Sequence, residues 1–110
     1  MTPDEKTKYS RSRLKWNIYK EDAQRYEDDL DALSKSKDKG DIILYSKYLG
    51  TEYNRPAGYR RMEAFKSYNN MIKRISRAMA NAQNDDDRQY YETMINEIKR
   101  EAVNTMDNIE

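Results

Sequence analysis

Residues 65–82 read FKSYNNMIKRISRAMANA, and within them Phe65, Tyr68, Ile72, Ile75, Met79 and Ala82 recur at intervals of 3, 4, 3, 4 and 3. Such spacing collects the apolar side chains on one stripe of an α-helix, because 3.6 residues make a turn, whereas a half-buried strand alternates every second residue. The polar residues between them, Lys66, Lys73, Arg74 and Arg77, fall on the side away from the stripe.

Outward from this segment, the pattern recurs twice. Trp16, Tyr19, Ala23, Tyr26, Leu30 and Leu33 carry the same intervals, and Tyr91, Ile95, Ile98, Ala102, Thr105 and Ile109 run at 4, 3, 4, 3 and 4. Three heptad seams predict an all-α fold, a small antiparallel bundle of three long heptad-patterned helices at about 11–36, 59–83 and 86–109. Each is roughly 36 Å long at 1.5 Å per residue. Residues 11–110 are then one helical bundle domain, preceded by a flexible polar arm over 1–10.

The punctuation fits these limits. Asn84, Asp85, Asp86 and Asp87 stop one helix and cap the next, because their side chains accept from orphan N–H groups and their charge suits the positive end of the helix dipole. So short a connection makes an antiparallel hairpin. Gly40 and Asp41 precede the apolar run Ile42, Ile43, Leu44, Tyr45, Tyr48 and Leu49, with Gly50 after it. This reads as one short helix over 41–49, capped by Asp41 and stopped by glycine. A buried strand is the competing reading, but no second strand is available to pair with it. Residues 51–58 form a loop with Pro56 and Gly58 as breakers.

Composition narrows the chemistry. The 110 residues include no cysteine and no histidine, which excludes disulfides, thiolate or imidazole metal ligation and His-based acid–base catalysis. The three glycines are too dispersed for a phosphate-cradling loop. The carboxylate clusters at Glu27, Asp28, Asp29 and Asp31 and at Asp85 to Asp87 match neither an EF-hand nor a di-iron pattern. No enzymatic activity, no metal and no cofactor are expected. The polar start and the lack of a long apolar run predict a cytoplasmic protein with no membrane partner. A mean hydropathy of −1.27 makes disorder the competing state, yet net charge is only +1, and ten Tyr, six Met and one Trp supply apolar area.

Charge is segregated beneath that small total. Residues 55–83 hold seven bases and one acid, and residues 84–110 three bases and eight acids. The loop Tyr53-Asn54-Arg55-Pro56-Ala57-Gly58-Tyr59-Arg60-Arg61 sets planar aromatic and guanidinium groups around a rigid proline, the residue types that anchor protein interfaces. The expected function is a non-enzymatic protein-interaction module, an adaptor, inhibitor or assembly factor, using Tyr53, Arg55, Tyr59, Arg60 and Arg61 with the basic helix face. The alternative is a nucleic-acid-binding bundle that contacts phosphates through Lys66, Lys73, Arg74 and Arg77, assisted by Lys6, Lys8, Arg11, Arg13 and Lys15, with Tyr90, Tyr53 and Tyr59 adding stacking beside Arg55, Arg60 and Arg61. The competing reading of the basic stripe is a solvated face balanced by the acidic last helix. The seams equally suit a homodimer. Leu14, Ile18, Met71, Met94, Val103 and Met106, outside the seams, either widen the apolar face or lie exposed.

Overall fold

The computed structural model describes residues 2–48 and 55–110. Four helices account for nearly all of them: α1 (Pro3–Lys35), α2 (Lys39–Tyr48), α3 (Ala57–Ala80) and α4 (Asp85–Asp107), with no strand among the described residues. The fold is an all-α bundle. α1, α3 and α4 pack mutually, and α2 lies against α1. The radius of gyration of 17.4 Å exceeds the roughly 13 Å of a spherical chain this long; the molecule is a rod of 56 × 30 × 21 Å.

The three stripes close on one another within one chain. Trp16, Ala23, Met62, Phe65, Ile72, Ile95, Ala102, Val103 and Met106 form the core, with Tyr19, Tyr26, Leu30, Tyr68, Ile75, Met79 and Ile98 packed around it. At its centre the Trp16 and Phe65 rings lie 4.5 Å apart. Val103 and Met106, which the heptad register places beside the seam, are among the most buried side chains, while Thr105 in the seam is exposed. α4 packs against two helices at once, so its buried arc is wider than one stripe. Leu14, Ile18 and Met71 are exposed.

Several boundaries differ from the sequence reading. Residues 3–10 are the first turns of α1 rather than a loose arm. The helix is entered through a proline at its first position, whose missing N–H costs nothing there, with Asp4 next to it and Lys6 N–H donating to Thr2 O at 3.0 Å. α2 starts two residues before Asp41. Its cap is Asp38, which accepts from Asp41 N–H at 3.1 Å, and Asp41 instead accepts from the Ser36 hydroxyl at 2.7 Å. α3 starts at Ala57 and absorbs Gly58, so only Pro56 acts as a breaker. The expected Gly50 stop and Leu49 lie outside the described residues. Asn84 caps α4 as expected, its Oδ1 accepting from Asp87 N–H at 2.9 Å.

Candidate interaction surfaces

Direction along the bundle decides which side chains meet. Trp16 of α1 meets Phe65 and Tyr26, further along α1, meets the earlier Tyr59 of α3, whereas Tyr9 donates to Glu97, and Tyr19 and Lys15, further along α1, to the later Asp107 of α4. α1 thus runs antiparallel to α3 and parallel to α4, and the N-terminus of α3 sits beside the C-terminus of α4.

That geometry reassigns the Tyr/Arg segment. Arg61 donates to Ile109 O at 3.1 Å, and Arg60 donates to Glu110 O. Both acceptors belong to the two residues that follow Asn108, the C-cap of α4, so the arginines tie the segment leaving α4 to the start of α3. Arg55 pairs with Glu63 at 2.6 Å, and its guanidinium lies 4.8 Å from the centre of the Tyr59 ring. Tyr59 stacks on Tyr48 at 6.2 Å, and both rings stand edge-on to Tyr26. Arg55, Tyr59, Arg60 and Arg61 are thus committed to holding α2, α3 and the end of α4 together. Tyr53 lies outside the described residues. Tyr90 sits in the first turns of α4, at the far end of the rod from Arg60 and Arg61.

The three-tyrosine cluster explains a short approach. A Cβ on Gly58 would lie 2.8 Å from Tyr26 Cε2, so glycine lets the start of α3 close on that ring. Burial, with Tyr48 and Tyr59 adjacent, pushes the Tyr26 phenol above its ordinary value. Tyr19 behaves similarly: burial and its bond to Asp107 push its pKa to about 12. Asp107 is held below the ordinary carboxylate range, chiefly by the Tyr19 hydroxyl and further by Lys15, against the opposing effect of burial. A phenol kept protonated this firmly, as at Tyr19, is a hydrogen-bond donor joining two helices.

The basic face divides. Lys66 is tied to Glu27, but among the described residues Lys73, Arg74 and Arg77 are exposed and form no ion pair. Of the cations assigned to the arm, Lys6, Arg11, Arg13 and Lys15 are exposed on α1, Lys15 being paired with Asp107 at 2.9 Å; the side chain of Lys8 lies outside the described part. Two further cations, Lys20 and Lys99, join this face. Lys20 lines the α1–α3 groove together with Lys73, and Lys99 of α4 lies 5.9 Å from the centre of the Trp16 ring. Burial lowers the Lys99 pKa, and the nearby charges of Arg13 and Lys20 lower it further. Their signal was present in the sequence, since Arg13 and Lys20 lie seven residues apart and so share one edge of the first seam.

α2 supplies the surface that the sequence left unassigned. Its inner face is Asp41, Tyr45 and Tyr48, all half-buried, whereas Ile42, Ile43 and Leu44 are 50%, 61% and 40% exposed. The helix has no buried residue. It is packed with its polar and aromatic side inward and its aliphatic side outward. Exposed Lys39 and Lys47 flank the ridge, without ion pairs among the described residues. No helix is long and apolar enough to cross a membrane, and no acidic group among the described residues is arranged to hold a metal ion.

No protein-family model, no curated protein and no solved structure matches the chain.

Proposed function

With no relative to lend it an activity, we propose that the chain is a non-enzymatic helical interaction module that docks a protein partner through α2, with Ile42, Ile43 and Leu44 as the anchor. The inverted packing of α2 carries this reading. Of the fourteen Leu, Ile, Val and Phe residues among the described residues, five stand exposed, and three of those are consecutive on this one short helix. In so polar a chain, a bundle that had to stand alone would gain by turning these residues inward.

The ridge and its rim define the partner. An amphipathic helix with an apolar stripe would cover Ile42, Ile43 and Leu44, and acidic flanks on that helix would meet Lys39 and Lys47. Burying the exposed part of each aliphatic side chain contributes about 1 kcal/mol, or about 3 kcal/mol for the three. That corresponds to about 100-fold in affinity.

The test is capture from the native host with wild type beside Ile42→Ser/Ile43→Ser/Leu44→Ser. The substituted side chains are exposed, so the thermal melt should not move. A protein with an acidic amphipathic helix, retained by wild type and lost by the variant, is the expected result. An identical set of captured proteins would overturn the proposal, as would light scattering that shows a dimer dissolved by the same substitutions, because the ridge would then serve self-association.

A further inference from the structure

The groove between α1 and α3 is a second, independent surface of opposite chemistry. It encloses about 330 Å³ and is lined by Lys20, Gln24, Glu27, Lys66, Asn69, Asn70 and Lys73 over a floor of Ala23 and Phe65. Its one carboxylate, Glu27, is occupied by Lys66. Lys20 and Lys73 have no acidic partner among the described residues, and the exposed Arg77 follows Lys73 one turn on along the same face of α3. Arg13 and Lys99 add charge close to Lys20, where burial and like charge already disfavour the Lys99 ammonium. Lys20, Lys66 and Lys73 outnumber Glu27 in the groove, and cations in excess repel one another and lower the stability of the empty protein. An anion on this face would relieve that repulsion.

We infer that the α1–α3 face binds the phosphate backbone of a nucleic acid duplex, with Lys20, Lys73, Arg74 and Arg77 on successive phosphates and Gln24, Asn69 and Asn70 donating to phosphate or sugar oxygens. Cationic and amide side chains are the usual partners of phosphate and sugar. The spread of charge suits an extended ligand. Lys66 and Arg77 stand eleven positions apart on α3, about 16 Å at 1.5 Å per residue, which is more than one phosphate group can occupy. Phe65, the one ring lining the groove, is its buried floor, so bases have no exposed platform there on which to stack. Binding is therefore to the backbone and independent of sequence.

The probe is a fluorescein-labelled 20-base-pair DNA duplex of mixed sequence, followed by anisotropy at about 50 and 200 mM NaCl. Four neutralised phosphates give a salt slope of about −3.6, so affinity should fall about 150-fold between those concentrations. Lys73→Glu/Arg77→Glu, both at exposed positions, should weaken binding at the lower salt and reduce the slope by about 2, leaving about a 12-fold fall. The α2 triple serine variant should bind the duplex as wild type does, so failure here is distinguishable from failure of the docking proposal. No binding at 50 mM NaCl would overturn the inference, as would an unchanged double variant with an unchanged melt. Displacement by inorganic phosphate beyond that produced by chloride of equal ionic strength would also overturn it, in favour of a single-phosphate pocket. Poly-glutamate that competes better than unlabelled duplex at equal charge concentration would do the same in favour of an acidic protein.

Discussion

Replacing Gly58 by alanine sets two known effects against each other, and the structure decides the sign. Alanine is the better helix former, by about 0.8–1.0 kcal/mol in a helix interior, and Gly58 is the second residue of α3, where frayed ends reduce that gain to roughly half. Against it stands the added methyl group, 2.8 Å from Tyr26 Cε2 and 3.2 Å from Cδ2. Those atoms belong to a ring wedged against Tyr48 at 6.0 Å and Tyr59 at 6.3 Å, so it cannot swing aside as a free side-chain tip would. Overpacking of this kind costs about 1–3 kcal/mol. The net effect is a loss of about 1 kcal/mol, or about 4 °C in melting temperature for a domain of this size. Thermal and urea melts followed by far-ultraviolet circular dichroism would measure it. The same substitution in a Tyr26→Ala background should reverse sign and stabilise by about 0.5 kcal/mol, because only the propensity gain remains. A Gly58→Ala protein that melts higher than wild type would refute the reasoning, and so would a double-mutant cycle with coupling near zero.

Two further outcomes follow from single contacts. Asn84→Ala removes the acceptor for Asp87 N–H and should cost about 1 kcal/mol, whereas Asn84→Ser should restore most of it; equal urea midpoints for the alanine variant and wild type would contradict the capping role. The Tyr19–Asp107 bond should confine its stabilisation to a window of pH. Tyr19, raised from 10.0 to about 12, contributes fully below about pH 10 and loses its contribution as pH rises through its folded value. Asp107, lowered by the same bond, contributes above the ordinary carboxylate range and loses it as pH falls through its depressed pKa. After discounting for solvent, the plateau between is worth about 1 kcal/mol. Tyr19→Phe should differ from wild type by that amount at neutral pH and converge with it at both extremes, and a difference constant with pH would sink the assignment.

The bundle was legible in the sequence because its signal is a period, and a period survives without knowledge of partners. Phe65, Ile72, Trp16 and Ala23 lie where the spacing put them, and Asn84 caps where its side chain allowed. What escaped depended on which elements become neighbours. Arg60 and Arg61 looked like an exposed anchor because nothing local shows that the carbonyl end of α4 arrives beside them. Val103 and Met106 looked peripheral because a two-sided contact widens the arc beyond one heptad seam. The start of α1 was readable, since Thr2, Pro3 and Asp4 form a helix-opening pattern, but polarity outweighed it in the reading. For the surfaces, the exposure of Lys73, Arg74 and Arg77 followed from their positions away from the stripe. Lys20 shares an edge of the first seam with Arg13, one heptad earlier, whereas the Lys99 contribution required the three-dimensional packing. The outward face of α2 could not be read, because Ile42, Ile43 and Leu44 are the residues that burial would ordinarily claim.

The two hinged elements α3 and α4 are joined by a handful of residues, whereas α1 meets them only across a long stretch of chain. A nascent polypeptide on the ribosome therefore exposes the indole of Trp16 long before Phe65, the ring packed against it, has been synthesised. Closure of the local hairpin costs little chain entropy and can run ahead of the distant docking. Quenching or blue-shifting of the single indole emission then times the last event of assembly, with α1 settling onto a platform already built.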